Sequence, residues 1–164
     1  MGTDVERDNP GVIAPPPLIA LATCAGGLAL DWLVPTFVLR VLLTFPQRLF
    51  VGFVLGAAGA ILGLVGELTF RAVGTNVMPW KPALRLSTIG IYRFLRNPMY
   101  VGLGLIVAGL GVTLASDWTL VLLVPAALVL HFGVVLREER YLEAKFGEDY
   151  RRYKAEVPRY GWPL

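Results

Sequence analysis

Four long apolar stretches organise the chain: Leu18–Val34, Leu49–Gly66, Met99–Ala115 and Trp118–Leu136. Each approaches the ~20 residues, within a range of ~17–25, that a helix needs to cross a hydrocarbon core. The pattern predicts an all-α integral membrane protein, a bundle of about four transmembrane helices spanning residues 18–164 as one domain. Spans three and four are separated by little more than Ser116-Asp117, so they form an antiparallel hairpin whose outer ends share one membrane face. The polar stretch 67–98 reads as a loop, because Pro79, Pro82 and Gly90 oppose a continuous helix. A structureless loop of that length in a small domain is usually functional. Past span four, Leu142, Phe146, Tyr150 and Tyr153 recur at helical spacing. They predict a C-terminal amphipathic helix over about 138–153, suited to lie on an anionic membrane surface or over the loop, with Gly147 as a point of weakness.

Span one is rich in Ala and Gly, and its far end carries Asp31 and the interfacial anchor Trp32. Residues 35–45 stay apolar apart from Arg40 and threonines, and read either as a re-entrant or interfacial piece or as a kinked extension of span one. Span two carries Gly52, Gly56, Gly59, Gly63 and Gly66. Small residues at that spacing let helix backbones approach closely, which is a packing signal and not a chemical one.

Hydrophobic residues make up 55% of the 164, and mean hydropathy is +0.62. The net charge of +3 might suggest nucleic acid. Its distribution argues for a membrane instead. Of the 15 Lys and Arg, five lie between Arg71 and Arg96 and seven between Arg137 and Arg159. The positive-inside rule puts the 67–98 loop and the C-terminus in the cytoplasm, and four spans put the N-terminus there too. Arg outnumbers Lys twelve to three, which points to a multi-pass protein of a prokaryotic inner (plasma) membrane. No metal site and no disulfide framework is expected, since the single Cys24 sits within an apolar run. Residues 1–17 read as a mobile tail without a cleavable signal or a myristoylation motif.

The chemistry concentrates in two polar clusters. Gly90-Ile91-Tyr92-Arg93-Phe94-Leu95-Arg96-Asn97-Pro98 opens directly into span three, with Asn97 placed as its N-cap and Pro98 as its first residue. Arg137-Glu138-Glu139-Arg140 closes span four. Hairpin topology brings the two together. A helix N-terminus with Arg96 beside it suits a carboxylate or phosphate, while Glu138 and Glu139 suit an ammonium or sulfonium. Tyr92 and Tyr100 add hydroxyls and flat faces. A zwitterion such as S-adenosylmethionine matches that set; a ring of interfacial charges that only orients the protein is the alternative. Glu67 reads either as the i,i+4 partner of Arg71 or as a substrate-facing acid. His131 is seven residues before Glu138, close to the same helical azimuth, and reads either as a packing residue or as a site residue.

The run Arg96-Asn97-Pro98-Met99-Tyr100-Val101-Gly102, an apolar hairpin, and then Arg137-Glu138-Glu139-Arg140-Tyr141 through Tyr150 resembles the isoprenylcysteine carboxyl methyltransferase family. The related phospholipid N-methyltransferases share the Asn-Pro-Met-Tyr and Glu-Glu signatures. Gly74-Thr75 and Gly90-Ile91-Tyr92 fit small prokaryotic members, so the resemblance runs from about Phe70 to the C-terminus. It implies S-adenosylmethionine as cofactor, bound by Tyr92, Arg96, Asn97, Pro98, Tyr100, Gly102, Glu138 and Glu139. Many relatives carry His where this chain has Asn97; an amide cannot take up a proton at neutral pH, so no acid–base role is assigned to it.

The implied reaction is methyl transfer to an apolar or lipid-like acceptor, carboxylate, thiol or amine, at the cytoplasmic face, with membrane lipids as the surroundings and no obligate protein partner. An ionised carboxylate needs no base; for an amine, Glu67 or His131 are the catalytic candidates. An acceptor arriving from the bilayer would pass the small-residue spans one and two. A phospholipid N-methyltransferase, a membrane reductase and a non-catalytic helical protein are the competing readings. No Gly-rich nucleotide fingerprint follows a strand, which weighs against the reductase.

Overall fold

The computed structural model describes residues 8–78 and 80–161, and among these all regular structure is helical. The order is α1 (Pro16–Leu33), α2 (Val38–Leu42), α3 (Phe45–Val73), a 3-10 turn (Gly90–Arg93), α4 (Pro98–Leu114) and α5 (Asp117–Leu130). A π-helical segment, His131–Val135, carries α5 on into α6 (Leu136–Phe146), and α7 (Glu148–Glu156) follows. Three helices are long and apolar enough to cross a membrane: α1, α3 and the continuous rod Asp117–Phe146. α4 is a shorter apolar helix of 17 residues. Leu21, Phe50, Phe53, Ile61, Val124 and Phe132 point outward, each more than half exposed. So much large apolar surface on helices requires an apolar solvent, and the chain is an integral membrane protein.

Glycine seams set the packing. A Cβ at Gly59 would lie 2.4 Å from the Gly102 carbonyl oxygen, and one at Gly109 would lie 2.6 Å from that of Gly52. α3 and α4 therefore touch backbone to backbone, which only glycine allows. α1 meets α5 in the same way, where Gly27 faces the Thr119 backbone. Of the glycines in span two, Gly52, Gly59 and Gly66 face α4, whereas Gly56 and Gly63 face open space.

Residues 35–45 do not extend α1. The chain leaves the helix at Val34, and α2 stands apart, the Val38 and Leu39 N–H groups donating to the Asp117 carboxylate at 2.8 and 2.9 Å. The Trp118 indole N–H donates to the Val34 carbonyl at 2.8 Å, and Ser116 bonds to Asp31, closing the same end of the bundle.

At the other end, α3 continues through Val73, so the first residues of the expected 67–98 loop are helical and the loop begins at Gly74. That glycine has φ +77, the left-handed conformation that ends helices. The segment after it is folded on itself: Thr75 Oγ1 accepts from the Leu84 and Arg85 N–H groups, and the Asn76 amide donates to the Pro82 carbonyl. Pro79, counted above among the helix-breaking residues, lies outside the described residues. The expected helix over 138–153 is divided by Gly147 at φ +54 into α6 and α7. Of the expected N-terminal tail, residues 1–7 lie outside the described residues and α1 begins at Pro16. Between them, Asp8 pairs with Lys145 at 2.7 Å, and the Gly11 carbonyl accepts from Arg137 at 2.8 Å.

Candidate functional site: a polar cavity at the junction of α4 and α6

The two polar clusters meet. The 3-10 turn and the approach to α4 bring Tyr92, Arg96 and Asn97 beneath α6, while the first turn of α4 presents Tyr100. Arg96 pairs with Glu139 at 2.8 Å, both side chains nearly buried. Tyr100 donates its phenol proton to Glu138 at 2.7 Å. The backbone then returns after α7: the Arg96 N–H donates to the Pro158 carbonyl at 3.0 Å, and Arg159 grips both Glu139 oxygens at 2.7 and 2.8 Å. Glu139 thus holds two arginines, whereas no arginine or lysine among the described residues pairs with Glu138.

Between these groups lies a cavity of about 100 Å³. Its wall takes in Tyr92, Arg96, Asn97, Pro98, Tyr100, Glu138 and Glu139 from the expected set, together with residues 75–78 and 85–87 of the loop. Two buried polar atoms of this wall have no hydrogen-bond partner, Arg96 Nε and Ser87 Oγ. Orphaned donors in a buried site carry a desolvation cost that a ligand can recover. An aromatic layer supports the floor: Phe70 and Tyr92 stack at 4.6 Å, and the Tyr153 hydroxyl donates to the Tyr92 carbonyl at 2.7 Å. Burial pushes the Tyr150 phenol up to about 12, Glu139 adding to the shift and Arg96 opposing it.

Several expectations land elsewhere. Asn97 does not cap α4 with its side chain; its amide donates to the Arg159 carbonyl at 3.2 Å, holding the returning C-terminal strand. Gly102 sits in the α3–α4 seam, outside the cavity wall. Glu67 pairs with Arg71 one turn on, and both are substantially exposed. His131 does not share a face with Glu138, because the π segment between them breaks the 3.6-residue register. It lines a second, apolar cavity and bonds to the Tyr160 hydroxyl at 2.8 Å. Ser87, Arg159, Tyr150 and Tyr160 were not anticipated. A signal for Arg159 existed, a basic residue just past a helix-ending Pro158 with a nearby acid in need of a partner, but its reach back to α6 is tertiary.

The chain is thus a helical membrane protein with a polar cavity at one end of the α4–α5 hairpin, where one glutamate is held by two arginines and its neighbour by a phenol. The family model described as phospholipid methyltransferase matches residues 47–149, and the chain belongs to that family. Membership implies a membrane methyltransferase. An uncharacterized protein of Haemophilus influenzae is 39% identical over 62 residues, which is 38% of this chain and 98% of that protein. No solved structure matches.

Proposed function

We propose that the chain transfers a methyl group from S-adenosylmethionine to an apolar, lipid-like acceptor at the cytoplasmic membrane face, with α4 as a fourth membrane crossing. The observation that carries this reading is the half-buried Glu138, bonded to a neutral phenol, in one cavity with the unpartnered Arg96 Nε and Ser87 Oγ. These residues fit the donor's zwitterionic end: Glu138 would take the ammonium, and Arg96 and Ser87 the carboxylate. When bound, the cofactor supplies an electrophilic methyl on a sulfonium.

The protein's part is alignment and exclusion of water, for which orientation alone is worth ~7–11 kcal/mol. The cavity of about 100 Å³ is smaller than the ~300 Å³ at which ligand pockets begin, so on this reading loading would move the lining residues 75–78 and 85–87 outward. The Ala83 N–H, donating to the Tyr141 hydroxyl at 3.0 Å, ties the described part of that loop to α6. Of the two catalytic candidates, Glu67 stands outside the cavity walls and His131 lines the apolar cavity, so a base for an amine or thiol acceptor is sought at His131. The family description makes a phospholipid amine one acceptor to assay beside isoprenoid acids and thiols.

The test is calorimetric titration of the protein in lipid nanodiscs with S-adenosylhomocysteine. Binding is expected, Glu138→Gln weakens it and Cys24→Ser leaves it unchanged. A folded protein that takes up no S-adenosylhomocysteine refutes the reading.

A further inference from the structure

A second cavity, about 580 Å³, lies between α1, α4 and α5. That size falls within the ~300–1,000 Å³ of ligand pockets. Its walls are apolar, with Ile19 and Ala20 from α1, Val107 from α4, and Leu123 and Ala127 from α5. Polar side chains enter at Tyr100, His131, Tyr160 and Thr23, and the Thr23 hydroxyl is satisfied by the Ile19 carbonyl at 2.8 Å. Among the described residues, Tyr100 alone lines both this cavity and the polar one. A single phenol ring therefore stands between a space suited to a charged donor and a space suited to a hydrocarbon chain.

We propose that this second cavity holds the apolar chain of the methyl acceptor, with its reacting end at Tyr100, and that α1 decides which chains fit. The assignment rests on the donor site proposed above. It takes its content from the geometry: a cavity of this polarity among membrane helices favours a lipid chain over water, and its contact with the donor cavity is at Tyr100. Both α1 and Tyr160 lie outside the 47–149 stretch matched by the family, whereas the α4 and α5 walls lie inside it. Gly104 lines the cavity, and a Cβ placed there would meet nothing within 4 Å. A large side chain at this position projects into open space and fills the cavity without pushing on backbone.

The test uses a long-chain alkyl amine with a diazirine at its chain end, photolysed with the protein in lipid nanodiscs and mapped by mass spectrometry. Labels are expected on Ile19, Ala20, Leu123 or Ala127. Gly104→Phe is expected to cut them ~10-fold or more, because losing even a few buried methylenes is worth that much. Gly56→Phe, on α3 and with equally open space, should leave them unchanged. Thermal unfolding checks that each variant is folded, and Gly104→Leu is the smaller plug if the aromatic destabilises the bundle. Labelling that survives a folded plugged variant, or that falls only on outward residues such as Phe50 and Phe53, overturns the proposal. The labels read the apolar cavity alone. Failure of S-adenosylhomocysteine to bind would sink the donor site and leave this readout intact.

Discussion

Replacing Gly102 with alanine separates a packing role from a ligand role at a position that the resemblance alone would put in the cofactor pocket. An added Cβ would sit 2.6 Å from the Gly59 carbonyl oxygen and 3.0 Å from the Gly63 nitrogen. Even a close carbon–oxygen contact needs ~3.3 Å, so the helices must part by roughly 0.7 Å at this point. Both obstacles are backbone, and no rotamer change relieves them. Overpacking of this kind costs ~1–3 kcal/mol, and a gap of that width also forfeits about a quarter to a half of each neighbouring dispersion contact. The better helix propensity of alanine returns at most ~1 kcal/mol. A net loss of about 1–2 kcal/mol is expected, read as a shift in reversible unfolding in mixed micelles. Gly104→Ala, two residues along α4 and facing open space, is the matched control and should be neutral or mildly stabilising. If Gly102→Ala proves as stable as Gly104→Ala, the account of the seam is wrong.

The ion pairs should rank by burial. Glu139→Gln strands two arginines and is expected to cost ~3–5 kcal/mol, Arg159→Ala about 1–3 kcal/mol because Arg96 still holds the acid, and Arg71→Ala at most ~1 kcal/mol at its exposed site; an inverted order in unfolding experiments would refute the clamp. Burial pushes the Tyr150 and Tyr160 phenols up to about 12, against about 10 in the unfolded chain. The fold binds these protons more tightly than the unfolded chain does. Their contribution to stability is therefore complete below pH about 10 and is lost as the pH rises through about 12. Absorbance titration of tyrosinate should show a delayed class of phenols that becomes ordinary on unfolding.

The hairpin made the main geometry legible in the sequence. Two residues between the apolar runs force a tight hairpin, so the approach of the 90–98 cluster to the 137–140 cluster was legible, whereas the pairing of Arg96 and Arg159 with Glu139, an acid expected to face a ligand, was not. The apolar pattern could not show where helices outlast the hydrocarbon; α3 runs on through Glu67 and Arg71 because an i,i+4 pair and a left-handed Gly74 sustain and end it. Nor could spacing reveal the π segment. Counting seven residues from His131 to Glu138 assumes an unbroken α-helix, and the wider turn sends the two side chains to different cavities. Ser87 and Arg159 were hidden for another reason. Each sits in irregular chain whose path is set by tertiary bonds, the Arg96 N–H to Pro158 among them.

Adjacent on one helix, Glu138 and Glu139 are chemically alike and structurally opposite. Glu139 lies beneath two guanidinium groups and ties three segments together: the approach to α4, the start of α6 and the strand beyond α7. A ligand ammonium would have to displace an arginine to reach it. Glu138 faces the cavity with a neutral phenol as its partner and no arginine or lysine among the described residues paired to it. The formal charges of Arg96, Arg159, Glu138 and Glu139 cancel, and a zwitterion can enter this low-dielectric site with its two ends matched and no net charge added. On the proposed reading the doubled glutamate divides the labour: Glu139 ties the three segments together, and Glu138 is the acid left to meet the ligand.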